Sequence, residues 1–440
     1  MHNKKPDPGK KKPRNTSYYK SQLNKKPKKE GSAFLDTSKK RQMSSYRRAI
    51  LLLFILIFAF AGLIFLGAFL KSLIEDGEDG VDMTGAVVDG GIFKPGTPGD
   101  TAETLPLPDT SAAEPPPAAD IAETFFSYNG VYLDVEQLES IESLQAFIAD
   151  IKSKGINAVN IDIKKDDGTV PYHISAQTEA IMIGAGKEFI DVPLKDIIDT
   201  LHANDLYVSG TIACFKDTIA STPLIASSLR SAGAAALRWE DSDGNYWLNA
   251  YAEGAREYIS GIIADSAKLG FDEIILSWFF FPNAANPASI SYEDGGVGKS
   301  DAVKDFVTEQ RRALDSIAPK VKFGLYIPIA NFLSMPNETM GLNPGDLAER
   351  CNFIATSFAP AHIPQGAFVN GESLPNPAAD PYLTTRALCS HFKYISEKIY
   401  FRPYIQAFGG YGDSQIQSQR QALYENDIDM WMLLNYDNNY

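Results

Sequence analysis

Two aspartates stand out for their surroundings. Asp162 lies in the apolar run Ala158-Val-Asn-Ile-Asp-Ile163, and Asp217 closes the run Thr211-Ile-Ala-Cys-Phe-Lys-Asp217. Each has a lysine close by, Lys164 and Lys216. Carboxyl groups carried at the ends of such runs suit glycoside hydrolysis, in which one acid protonates the leaving oxygen and one carboxylate acts beside it. The residues at comparable places elsewhere fit the same substrate class: Trp247, Asn249, Trp278, His362, Gln406 and Asn435. Amides and carboxylates bond sugar hydroxyls, while aromatic faces cover the C–H surface. The expected catalytic residues are therefore Asp162 and Asp217. The expected substrate contacts are Lys164, Trp247, Asn249, Trp278, His362, Gln406 and Asn435.

Each residue also has a plainer reading. Lys164 could pair with Asp162 as a structural bridge, and His362, between prolines, could be a structural hydrogen-bonder. Asp166-Asp167-Gly168 reads as a turn. Trp247 and Asn249 could anchor a loop. Trp278-Phe-Phe-Phe281 should divide between core and rim by strand alternation.

These residues need a scaffold, and the pattern of the chain supplies one. From Phe125 to Tyr440, short β-rich runs alternate with amphipathic helical stretches. The strands are expected at 130–133, 158–163, 207–215, 273–279, 323–327, 352–357, 398–405 and 430–434. Helices are expected at about 144–154, 193–204, 254–269, 301–317, 382–395 and 415–426. Several helices are followed by Gly155, Asn204, Gly270 or Asn426, the residue types that cap C-termini. Eight strands with crossover helices in this length make a (β/α)8 TIM barrel of the α/β class. A doubly wound sheet is the competitor, but its phosphate-binding glycine turn is missing. Few residues follow the eighth strand, so the last helix is expected to be absent or supplied from elsewhere. In such a barrel, chemistry sits where strands end. Asp272-Glu273, at the start of strand four, should serve stability.

Outside the barrel the composition changes abruptly. The 440-residue chain has a formal charge of −14, yet residues 1–48 hold 16 basic residues against three acidic, leaving 25 against 52 in the remainder. Residues 49–70 are a run of 22 without a charge, about 33 Å as a helix and long enough to span a bilayer. Arg41, Arg47 and Arg48 precede it, which by the positive-inside rule keeps the N-terminus in the cytoplasm. Residues 71–124 hold twelve acidic residues, two lysines and seven prolines, as an extended linker does. The expected organisation is a disordered basic tail (1–48), a single-pass signal anchor (49–70), an acidic Pro/Gly-rich linker (71–124) and an extracytoplasmic barrel (125–440). The acidic body argues against nucleic acid as a partner. No Walker loop, HExxH, CxxC or GxGxxG after a strand occurs, so no cofactor or metal is expected. Cys351 and Cys389 could pair in an oxidising compartment, while Cys214 reads as a small core residue.

The chain resembles the glycosyl hydrolase domain family of bacterial envelope proteins. The resemblance lies in Asn157-Ala-Val-Asn-Ile-Asp-Ile-Lys-Lys-Asp-Asp-Gly168, Phe215-Lys-Asp217, Trp247-Leu-Asn249, Gly270-Phe-Asp-Glu-Ile274, Pro375-Asn-Pro377, Arg402-Pro-Tyr-Ile-Gln-Ala-Phe408 and Trp431-Met-Leu-Leu-Asn435. It implies a glycosidase-like TIM barrel acting on cell-wall glycan or another envelope polysaccharide. It also exposes departures. The family's strand four runs roughly Phe-Asp-Tyr-Ile-Arg-Phe-Pro, and its Asp is the best candidate for a catalytic carboxylate. This chain has Leu276-Ser-Trp-Phe-Phe-Phe-Pro282, so Ser277 replaces the Asp and Phe280 the Arg. Thr211 stands where strand three usually presents an Arg, and an Asp usual near Tyr326 is missing. Three readings follow: an anchored glycosidase with a non-standard carboxylate set, a catalytically silent glycan-binding barrel, or a structural module with a filled cleft.

Overall fold

A computed structural model describes residues 128–395 and 400–435. The tail, the 22-residue apolar run and the linker lie outside the described residues. Among the described residues no helix is long and apolar enough to cross a membrane.

Eight parallel strands close into a barrel in which each pairs with its neighbours in sequence and the eighth with the first. They are β1 (Asn129–Leu133), β2 (Ala158–Lys164), β3 (Tyr207–Ala213), β4 (Glu273–Ser277), β5 (Lys322–Tyr326), β6 (Phe353–Ser357), β7 (Phe401–Gln406) and β8 (Trp431–Leu434). All eight expected strands form. Strands three and four end earlier than expected, because the residues after Ala213 and Ser277 turn into rim loops.

Amphipathic helices pack outside. Ile141–Ser153 buries Leu144, Phe147, Ile148 and Ile151, the i, i+3, i+4, i+7 stripe that seats a helix on a sheet. Leu194–His202, Glu253–Leu269, Lys299–Ile317, Pro381–Ile395 and Asp413–Tyr424 occupy the other expected helical stretches. Gly155 and Gly270 take positive φ as cap residues should, but beyond the other two helices the left-handed positions fall to Asp205 and Asp427, one residue after the expected asparagines. Between β5 and β6, where no helix was expected, there are two short ones, Ile329–Phe332 and Pro344–Ala348.

The strand interiors fill the barrel, and its lower end is built around one cation. Arg402 of β7 donates to both carboxylate oxygens of Glu273 of β4, at 2.5 and 3.0 Å, with both side chains buried. Its guanidinium lies between the rings of Tyr128 and Phe353, 3.7 and 3.8 Å from their centroids. Two glycines make that sandwich possible: a Cβ on Gly130 would meet the Tyr128 ring at 2.3 Å, and one on Gly324 would meet the Phe353 ring at 2.2 Å. Glu273 thus has the structural role expected at the bottom of the barrel. Burial alone would push its carboxyl up, and Arg402 pulls the other way.

Cys214, Cys351 and Cys389 are buried free thiols. The pairing considered for Cys351 and Cys389 does not form. Cys351 instead aims its Sγ at the Leu347 carbonyl, 3.3 Å away, packing as a small apolar residue.

Two rim elaborations were not legible beforehand. Arg230–Ser231 pairs with Ala234–Arg238 and with Ile290–Ser291, which joins the β3 and β4 loops in a three-stranded sheet. A hairpin, Ala367–Val369 with Glu372–Leu374, follows β6. Its Asn370-Gly371 turn has φ of 46° and 85°, the left-handed pair that Asn-Gly adopts in tight hairpins.

Candidate active site

The upper mouth holds a partly open cleft; the space between its walls, counted with the solvent at its opening, is about 550 Å³. Its wall draws on strands spread around the barrel: Tyr132 (β1), Asn160, Asp162 and Lys164 (β2), Thr211 (β3), Ser277 (β4), Tyr326 (β5) and Tyr404 (β7). Lys165, Asp166 and Trp278 complete it from the loops.

Asp162 is its chemical centre. Strand alternation turns Asn160 and Asp162 inward, between the outward Ile161 and Ile163. The Tyr132 hydroxyl donates to Asp162 Oδ2 at 2.9 Å, and the Tyr172 hydroxyl to the Asp162 carbonyl at 3.1 Å. Although its edge reaches the cleft, protein surrounds the carboxyl closely, and this desolvation raises its pKa from 3.8 to about 7. Lys165 and the Tyr132 hydrogen bond oppose that rise, while the negative charges of Asp166 and Asp134 add to it. Tyr132 is itself held neutral by burial and by the charges of Asp162 and Asp134, so it acts as a donor.

Just past Asp162 the β2–β3 register shifts between Asp162 and Lys164. Such bulges re-aim side chains beside active sites. Lys164 Nζ turns down, away from Asp162, to Asp217 Oδ2 at 2.9 Å and the Ala213 carbonyl at 2.6 Å. The lysine's partner is thus Asp217, not Asp162. The following turn presents Asp166 to the cleft, where Lys216 Nζ binds it at 2.8 Å. Lys216 also sits 4.6 Å above the Trp278 ring.

Trp278 has φ of +52°, a left-handed conformation that is costly for a bulky residue. Its carbonyl accepts from Phe215 N–H at 2.9 Å, and the preceding Ser277 carbonyl from Cys214 N–H at 2.7 Å. Those bonds hold the strain. The ring meets Trp247 edge-on at 5.7 Å and leaves part of its face at the cleft. Only Trp278 of the four aromatics reaches the cleft wall. Phe279, Phe280 and Phe281 are all buried, so the chain does not alternate between core and rim as expected. The reason is that β4 ends at Ser277 and the chain turns there.

The other anticipated residues fall into different places. Asp217 is fully buried and absent from the cleft wall, its Oδ1 accepting from Ala220 N–H at 2.7 Å. Gly168 seals it, since a Cβ there would lie 2.0 Å from Asp217 Oδ1. Gln406 is consumed internally: it accepts from Ala361 N–H and donates to the Phe408 carbonyl, at 2.9 and 3.0 Å. Asn249 anchors the loop by donating to the Tyr292 carbonyl at 2.6 Å and accepting from Tyr251 N–H at 3.1 Å. Trp247 is buried behind Trp278, its indole N–H on Asp241 at 3.0 Å. Asn435 is buried near the end of β8, outside the cleft wall. His362 lies beside a second cleft, its Nδ1 2.7 Å from Ser357 Oγ. Burial pulls its pKa down to about 4, so the ring is neutral at ordinary pH.

Sequence reasoning read Asp166 only as a turn residue, although it is also a cleft carboxylate, and passed over the tyrosines at 132 and 404. Their signal was period-2 spacing: Tyr132 and Tyr404 sit at inward positions near strand ends.

With this geometry in view, the comparisons are informative. The family described as "Putative glycosyl hydrolase domain" matches residues 130–440. The chain belongs to it. The barrel is thus a glycoside-hydrolase-like domain. Among solved structures, a hypothetical protein from Ruminiclostridium thermocellum ATCC 27405 is 27% identical, with 44% of this chain and 96% of that one covered and a TM-score of 0.39. The PgaB (BpsB) glycoside hydrolase domain from Bordetella bronchiseptica is 14% identical, with 71% and 94% covered and a TM-score of 0.53. An endo-beta-1,4-mannanase from Thermotoga petrophila is 9% identical, with 71% and 68% covered and a TM-score of 0.45. The PgaB likeness shows a shared fold. No curated protein matches the chain. For this member of the glycosyl hydrolase domain family, the two strand-four departures lie in different places: Ser277 lines the cleft, and Phe280 is in the core.

Proposed function

We propose that this chain is a membrane-anchored, extracytoplasmic glycoside hydrolase acting on cell-envelope polysaccharide, with Asp162 as the proton donor. One observation carries the reading. A carboxyl at the cleft has a pKa near 7 and a neutral tyrosine holding it, as a general acid at neutral pH requires. The acid protonates the glycosidic oxygen as the bond to the anomeric carbon breaks, and water adds to that carbon, its proton passing to a carboxylate. The ion-paired Asp166 supplies the second carboxylate, in the role first expected of Asp217. Trp278 offers a face for the sugar's C–H surface, and Asn160 and Thr211 bring polar atoms to the wall. Membrane anchoring rests on the 22-residue apolar run and its basic flank, and the envelope substrate on the outward orientation these give.

A second reading, a glycan-binding barrel without turnover, is favoured by one observation. Asp166, the second carboxylate of the cleft, is tied to Lys216 at 2.8 Å, and this fits the serine at position 277 where the resemblance implies an Asp. A reducing-end assay on cell-wall polysaccharide separates them. Release by the wild type that Asp162→Asn reduces by about 10²–10⁴-fold supports hydrolysis. Glycan retention with no release from either protein establishes the binding role instead.

A further inference from the structure

Beside the cleft lies a second, of about 640 Å³ counted in the same way, lined by Tyr326, Ile329, Ser357, His362, Ile363 and Pro364 among others. Tyr326 belongs to both walls, so the two hollows are neighbours across one side chain. Its ring is backed by Tyr404 at 5.2 Å, which fixes that partition. Tyr404 is buried, and its hydroxyl has no hydrogen-bond partner among the described residues, although the residue lines the first cleft. A buried hydroxyl left so is normally satisfied by something.

The two linings differ in kind. The first cleft carries Asp162, Asp166, Lys164 and Lys165, whereas the second has no Asp, Glu, Lys or Arg in its wall. Its polar corner is the Ser357–His362 pair. Ser357 Oγ accepts from Ala359 N–H at 3.2 Å and lies 2.7 Å from His362 Nδ1. Ile329, Ile363 and Pro364 bring carbon to the same wall. A plain hexose there would set hydroxyls against apolar carbon, at a desolvation cost. A sugar carrying an acetamido group would set a methyl there.

Resting on the glycosidase reading of the first cleft, we infer that the second cleft is a neighbouring sugar subsite for an uncharged N-acetylated hexosamine, so that the barrel mouth binds a chain of at least two sugars across Tyr326. The test uses the full chain in detergent micelles and calorimetric titration with N-acetylglucosamine oligomers of one to five units, alongside glucose oligomers of equal length. The expected result is a rise of tenfold or more in affinity on adding one particular sugar unit in the acetylated series, absent from the glucose series. Ala330→Trp and Pro364→Trp, at exposed positions on this cleft, should each remove that step and leave the weaker single-sugar affinity intact. Trp278→Ala should weaken every length. Binding that Trp278→Ala abolishes but that shows no length step, the same step with glucose oligomers, or a step that survives both cleft-filling variants overturns this inference alone. An absence of binding for every oligomer of both series overturns it together with the reading on which it rests.

Discussion

Replacing Asp162 by Asn tests the central electrostatic argument without touching the fold. In the unfolded chain this carboxyl loses its proton near 3.8, and in the folded protein near 7. Between those values the folded state holds one proton more than the unfolded state. Stability therefore falls as pH rises through that window and levels off above 7. At about 1.4 kcal/mol per pH unit the gap corresponds to about 4 kcal/mol, and water at the mouth screens it to roughly 2–3 kcal/mol. Asparagine keeps an acceptor for the Tyr132 hydroxyl and carries no charge to desolvate. The variant should match the wild type within about 1 kcal/mol at pH 4 and exceed it by about 2–3 kcal/mol at pH 8. Urea unfolding at the two pH values, read by tryptophan fluorescence, measures the difference. A stability difference that does not change between pH 4 and pH 8 would refute the buried-acid argument. So would a carbon-13 titration that places the Asp162 carboxyl near 4.

Three further outcomes follow from the same coordinates. Arg402→Met leaves Glu273 buried without its partner and should cost about 3–5 kcal/mol, while the double change with Glu273→Gln should recover much of it, as denaturation midpoints will record. At position 278 the left-handed backbone favours glycine, so Trp278→Gly should be more stable than Trp278→Ala by about 1 kcal/mol, although both lose the ring and its glycan affinity. Gly168→Ala brings a Cβ to 2.0 Å from Asp217 at φ of +95° and should destabilise by at least about 2 kcal/mol; an unchanged melting temperature would show that the Lys164–Asp217 seal is not tight.

The site was half legible in the chain. Asp162 could be found because alternation with Ile161 and Ile163 fixes its face and strand two fixes its height. Asp217 looked equivalent, with a strand before it and a lysine beside it, but burial depends on what lies above, and Gly168 is 49 positions away. Gln406 and Asn249 were chosen as amides that a sugar would satisfy, yet backbone groups from distant loops satisfy them first. Asp166 was not chosen because a turn motif explains it locally.

What the sequence by itself determined was the repeat: eight β-rich runs, the amphipathic stretches between them, and the place of Glu273 at the start of strand four, the barrel's bottom. Those are short-range properties, set by side-chain period and by glycines such as Gly155 and Gly270 that permit left-handed backbone. Tertiary structure alone decided which carboxyl meets the cleft and which is sealed, and that Lys164 turns to Asp217 while Lys216 takes Asp166. It also decided that three of the four aromatics after Leu276 and Ser277 go inside. Such outcomes depend on desolvation and contact between segments dozens of residues apart, and these arise only when the ring of strands closes.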